Sequence, residues 1–209
     1  MEKVERIIQH QETASWCGPA CLSEAYNILT GKTISQEYCA QILGATDDDG
    51  VDFKKLRDGA SQLELEAAVI QGVPLSVLKE YKSKGYVVII NWMSGRNFDE
   101  DGHYSLFEDV NSDFITLNDP EGLVGSLRII RKSDFDKVWF DIDEGKRTER
   151  VAIVIKGELP DSPEDVHGEV EIETEEDNSP DDPFDKCSVC GSTKEDGKCP
   201  KCKVLQEAV

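Results

Sequence analysis

The chain has 209 residues, of which 43 are acidic and 23 basic, giving a net charge of −20 and a mean hydropathy of −0.45. A surface this negative repels polyanions, which excludes nucleic acid as a partner and favours a basic peptide or protein. No run is apolar for the length of a membrane span, and Met1 to His10 mixes charges without an apolar h-region, so neither a membrane segment nor a signal peptide is expected.

Gln11 to Leu22 reads Gln-Glu-Thr-Ala-Ser-Trp-Cys-Gly-Pro-Ala-Cys-Leu, a polar loop turning into a helix at Cys17. Ser15 is the expected cap, Pro19 suits a first turn, and helix-compatible residues continue to about Thr30. A cysteine on a first turn feels the positive end of the helix dipole, which favours the reactive thiolate. Gln11 offers a side-chain N–H that, with the Cys17 backbone N–H, could hold a developing oxyanion. This stretch alone also fits a small buried cysteine. Gly31-Lys32 then turns the chain, and Ser35 caps a helix over Gln36 to Leu43 in which Cys39 joins an apolar stripe. Asp47-Asp48-Asp49-Gly50 lacks the calcium-loop ligand pattern and reads as a solvated turn. A helix is expected over Asp52 to Leu63, a short strand over Leu65 to Ile70, and a helix from Pro74 to Lys84 capped by Gly85.

From Gly85 the pattern changes to strands. Tyr86 to Trp92 is a continuous β-branched and aromatic run, the mark of a central strand covered on both faces. Further strands are expected at His103 to Val110, Phe114 to Asp119, Leu127 to Arg131 and Val151 to Lys156, with a helical turn at Ser133 to Phe140. Helices first and an antiparallel sheet second make an α+β domain.

Of the three histidines, 10, 103 and 167, only His103 lies in this strand-rich core, and it is the candidate base for Cys17. Asp119 is the candidate orienting acceptor for its other nitrogen. If the strands flanking Val110-Asn111-Ser112 pair with Asn111 at the turn centre, His103 faces Asp119 directly, with Cβ atoms roughly 5 Å apart. A one-residue slip would destroy the pair.

Gln11, Trp16-Cys17-Gly18-Pro19-Ala20-Cys21-Leu22, Gly102-His103-Tyr104 and Asn118-Asp119-Pro120 together resemble the bacteriocin-processing, C39-like group of papain-like cysteine peptidases. The resemblance spans about residues 5 to 157 and keeps the order Gln, Cys, His, Asp. It implies a papain-like fold with Cys17 as nucleophile, His103 as base, Asp119 as orienter and Gln11 in the oxyanion hole.

Positions 158 to 209 hold 16 acids and 5 bases. Residues 158–186 contain 13 acids, one lysine and few large apolar side chains, so they cannot bury enough surface to offset ordering entropy and read as a disordered linker. Residues 187–209 contain Cys187-Ser-Val-Cys190 and Cys199-Pro-Lys-Cys202, two knuckles able to offer four thiolates to one tetrahedral zinc. The unit resembles short zinc ribbons. A site closed by sulfur leaves no position for reactive water, so the expected zinc is structural and the expected role is docking of a protein partner.

The sequence thus points to a peptidase domain over residues 1–157 that cleaves a peptide or isopeptide bond through a Cys17 thioester. Cysteine usage without a disulfide framework points to a reducing cytoplasm. The same triad could serve an acyltransferase, and a catalytically silent zinc-ribbon scaffold is the third reading. Asp99, Glu100 and Asp101, just before Gly102-His103, are expected to favour a cationic substrate segment.

Overall fold

The apolar run that dominates the sequence forms β2 (Val87–Met93), buried at every position. The computed structural model describes residues 9–94, 102–121, 126–143 and 145–157. The expectations for the first eight residues, for Asp99 to Asp101, for an acidic linker and for a metal site at the four tail cysteines lie outside the described residues.

Three helices come first: α1 (Cys17–Thr30), α2 (Gln36–Leu43) and α3 (Phe53–Gln62). Ser35 caps α2 through its side chain, and the Asp52 carboxylate caps α3 by accepting from the Lys54 and Lys55 N–H groups. Strand β1 (Glu66–Ile70) and helix α4 (Leu75–Ser83) lead into β2. The C-cap of α4 is Lys84, one residue before the expected Gly85, which follows at φ +87° as the residue that turns the chain. Beyond β2 come β3 (Gly102–Val110), β4 (Phe114–Asp119), β5 (Ser126–Arg131), α5 (Lys132–Val138), β6 (Phe140–Asp143), β7 (Lys146–Glu149) and β8 (Ala152–Lys156).

Six strands form one antiparallel sheet in the order β1-β8-β2-β3-β4-β5, while β6 and β7 pair as a separate hairpin. That hairpin was not expected from the sequence. Ile89, Tyr104, Leu106, Ile153 and Ile155 join Cys17, Cys21, Leu22, Cys39 and Leu56 in the main core, so α1 to α3 cover one face. Trp92, of opposite parity, meets Phe135 of α5 with ring centroids 5.8 Å apart. Burial on both faces explains why β2 shows no alternation.

The β3–β4 hairpin differs from the expected register. Its turn is centred between Ser112 and Asp113: the Asn111 N–H donates to the Phe114 carbonyl at 3.0 Å, and the Asn111 side chain accepts from Asp113 and Phe114 N–H at 2.9 and 2.8 Å. Asn111 starts the turn because its Oδ1 can close this local ring. Left alone, that register would send His103 and Asp119 to opposite faces. A bulge at Glu108 inserts one residue between the pairs Phe107–Leu117 and Asp109–Thr116 and restores the parity. His103 and Asp119 therefore share a face as diagonal neighbours, since Leu106 faces Asn118 and the row of Asp119 is that of Ser105. Lys82 of α4 holds the bulge, donating to the Phe107 carbonyl at 3.0 Å and pairing with Glu108 at 2.7 Å.

Candidate active site

Cys17 is the first residue of α1 and is 7 % exposed. Its helix is capped by Trp16 without a side-chain hydrogen bond, not by Ser15. Ser15 Oγ instead donates to the Thr46 and Asp47 carbonyls at 2.8 Å each, and Trp16 Nε1 donates to the Thr46 carbonyl at 3.0 Å. The Asp47–Gly50 turn is exposed as expected, and these bonds make it a brace for the chain entering Cys17. Gly18 permits the close packing of this helix end, because a Cβ there would stand 2.7 Å from Val51 Cγ2. First-turn N–H groups have no intrahelical acceptor and leave a positive pole beside the sulfur.

His103 and Asp119 are both buried, and His103 Nε2 lies 2.6 Å from Asp119 Oδ1. With Nε2 turned to the carboxylate, Nδ1 is the nitrogen left for the Cys17 thiol. Burial works against charging this ring. The hydrogen bond to Asp119 and the influence of the Cys17 thiol and of the carboxylate charge overcome it, and they raise the imidazole well above its ordinary range. Asp119 shows the converse balance: burial pushes its carboxyl up, but His103, Arg128 and the Glu121 N–H hold it well below the carboxylate range. Its Oδ1 also accepts from Glu121 N–H at 3.1 Å, and Oδ2 accepts from Arg128 Nη1 at 2.8 Å. Glu121, His103 and Asp119 bring one potential ligand atom each within 4.8 Å of one another. The guanidinium on Asp119 and the bond between His103 and Asp119 suit a hydrogen-bonded pair rather than a cation.

Gln11 reaches the same corner, its backbone N–H donating to the Pro120 carbonyl at 2.9 Å. Its Nε2 donates to the Thr13 and Ala14 carbonyls at 2.9 and 2.8 Å, while Oε1 is buried without a protein partner. The side chain thus shapes the loop before Cys17 in this structure. Gly102 leaves room for its surroundings, since a Cβ would lie 2.8 Å from Asp141 Oδ1 and 2.9 Å from Asn91 Oδ1 and one of these side chains would have to shift.

Two residues of this corner escaped the sequence reading. Trp92 faces His103 across β2 and β3, its ring edge-on at 5.8 Å between centroids, and its Nε1 donates to Ser105 Oγ at 3.0 Å. Arg128 lies over the Trp92 ring at 4.9 Å while it holds Asp119. Trp92 looked like one more apolar residue of a central strand. Only the pairing of β5 beside β4 brings Arg128 near Asp119.

The peptidase C39 family pattern matches residues 5–142. The chain belongs to the peptidase C39 family. Members of this family are cysteine peptidases, so the enzyme is a hydrolase. Among solved structures, a C39-like peptidase from Bacillus anthracis superposes with a TM-score of 0.58 at 12 % identity, covering 75 % of this chain and 97 % of that one. The peptidase domain of Streptococcus ComA, a bi-functional ABC transporter involved in a quorum sensing pathway, gives 0.56 at 19 % identity, with 72 % and 97 % covered. A double glycine motif protease from an AMS/PCAT transporter, in complex with the leader peptide, gives 0.52 at 18 %, with 75 % and 94 % covered. No curated protein sequence matches the chain. Among the described residues, no helix is long and apolar enough to cross a membrane.

Proposed function

We propose that this C39 peptidase cleaves a peptide bond through a thioester on Cys17, with His103 as acid and base and Asp119 as its orienter. The observation that carries the reading is the 2.6 Å bond between His103 and Asp119 beside a cysteine at a helix N-terminus. The Cys17 thiolate attacks the carbonyl carbon, and the oxygen takes the electron pair. As the C–N bond breaks, imidazolium gives its proton to the departing amine. His103 then takes a proton from water, whose oxygen attacks the thioester, and thiol and carboxylic acid are released. The Cys17 backbone N–H and the Gln11 amide serve the oxyanion, which requires Gln11 to release one of its loop carbonyls.

A peptide segment is the substrate, in keeping with the leader peptide bound by the double glycine motif protease. The acidic excess, with Asp99, Glu100 and Asp101 before Gly102, favours a basic segment, and that preference weakens with salt. Cys17, Cys21 and Cys39 are free thiols, which suits a reducing cytoplasm.

The first test is thiol selectivity. Burial pushes the Cys39 thiol up to about 12, and burial, Cys17, Glu24 and Asp119 together push the Cys21 thiol well up. Iodoacetamide near neutral pH should therefore label Cys17 at least about tenfold faster than either, read by peptide mapping. Equal rates would sink the assignment of Cys17. Incubation with mixed peptides, read by mass spectrometry, then identifies the cleaved bond.

For the tail we propose that Cys187, Cys190, Cys199 and Cys202 hold one structural zinc in a partner-docking ribbon, a reading that rests on their spacing. Chelation should release one zinc per chain and leave the thermal transition of the peptidase domain unchanged. A large fall in that transition would contradict a tethered, independent unit.

A further inference from the structure

We propose that Arg128 is a positioning residue of the catalytic corner: it fixes the Asp119 carboxylate so that Oδ1 faces His103. This rests on the reading of Cys17, His103 and Asp119 given above. Asp119 lies on the middle strand of three. His103 reaches it from β3 at 2.6 Å on Oδ1, and Arg128 reaches it from β5 at 2.8 Å on Oδ2. Both are diagonal neighbours, because Asp119 faces Ser126 on β5 and Arg128 faces Leu117. The two carboxylate oxygens are thereby assigned to different strands, with the Glu121 N–H as a further donor to Oδ1.

A buried carboxylate held by one donor could rotate and present either oxygen. A second donor on the other oxygen removes that freedom, and a planar guanidinium is suited to the task because its N–H directions are rigid. The geometry also fixes the guanidinium itself. It lies over the Trp92 ring at 4.9 Å, and Trp92 is held by its bond to Ser105 and stands edge-on to His103. Arg128, Asp119, His103 and Trp92 close a ring of contacts, so tilting one side chain disturbs the imidazole directly. Arg128 is about two-fifths exposed while Asp119 is almost fully covered. An exposed ion pair contributes little to stability, whereas a donor to a buried carboxylate governs where that carboxylate points. Lysine could keep the charge but would lose both the rigid donor geometry and the guanidinium's place over the indole.

The test uses the full chain as wild type, Arg128→Met and Arg128→Lys. One readout is the rate of Cys17 labelling by iodoacetamide near neutral pH. The other is the low-field proton resonance of His103 Nε2–H, which reports the short bond to Asp119. Losing an outer partner that orients a metal-bound histidine or carboxylate typically costs about ten- to hundredfold, and the same order is taken for a carboxylate that orients a histidine. Arg128→Met is therefore expected to slow labelling by about tenfold and to shift or broaden the resonance, and Arg128→Lys to recover only part of both. If wild-type Cys17 labels selectively and Arg128→Met keeps its rate and resonance, the proposal is overturned. If Arg128→Met does not fold, Arg128→Lys decides, because an unchanged rate and resonance in that variant remove the need for a planar donor. If wild-type Cys17 shows no selectivity, the nucleophile assignment fails first. The resonance then decides alone whether Arg128 orients Asp119.

Discussion

Replacing Cys17 with alanine is expected to lower cleavage of any accepted peptide by about ten-thousandfold or more, because no other described cysteine is placed to form the acyl-enzyme. The described alternatives are Cys21 and Cys39, and both are fully buried with thiols pushed up by that burial. Neither lies at a helix N-terminus. His103→Ala should come close to the same loss, since the imidazole both accepts the thiol proton and donates to the amine. The double variant should be little slower than the worse of the two, because the pair acts as a unit. Peptide cleavage followed by mass spectrometry at neutral pH checks all three. A Cys17→Ala enzyme retaining more than about a hundredth of wild-type turnover would place the nucleophile elsewhere. Additive losses in the double variant would show that His103 acts independently of Cys17.

The parts of this architecture that local chemistry dictates were legible in the sequence. Ser35 caps its helix as its side chain allows, and the continuous run in β2 announces burial on both faces. The meeting of Cys17, His103 and Asp119 was legible as chemistry but not as geometry. The expected face-to-face register placed Asn111 at the turn centre, whereas its side chain closes a ring at the start of the turn. The bulge at Glu108 then recovers the shared face, and it is pinned by Lys82 from α4, a contact no local pattern announces. Ser15 illustrates the same limit, since as a good capping residue it donates instead to a loop thirty-one and thirty-two positions away. The β6–β7 hairpin was missed because its strands are only four residues long and charged, and their turn signal at Gly145 is a single glycine. Trp92 and Arg128 required the sheet order itself, since their roles exist only where β2, β3, β4 and β5 lie side by side.

Asp119→Asn is the variant in which the surroundings of the carboxylate should show most clearly. An amide has one acceptor oxygen, but Asp119 accepts from His103 on one side and from Arg128 on the other. Whichever way the amide turns, its NH2 group must face either the imidazole or the guanidinium, both of which need an acceptor. Turnover should fall by roughly a hundred- to ten-thousandfold, chiefly in kcat, because the imidazole loses its orientation and its imidazolium loses a counter-charge. The variant should also weaken a pH dependence. In the wild type His103 is raised above its unfolded value, so its stabilising contribution is complete below about pH 6.5 and is lost as pH rises through the raised native value. Asp119 is depressed, so its contribution is complete above about pH 4 and is lost only as pH falls through the lowered native value. Both contributions are therefore present together between about pH 4 and 6.5. Without the carboxylate, burial, the largest single influence on His103, is opposed by Cys17 alone, so the imidazole falls from its raised value. The variant should then lose less stability than the wild type as pH rises above about 6.5. Thermal unfolding followed by circular dichroism from pH 5 to 9 reads this directly. The Tm gap between the two proteins should narrow with rising pH, and a gap that is constant across the range would mean that the bond between His103 and Asp119 does not control the ionisation of the histidine.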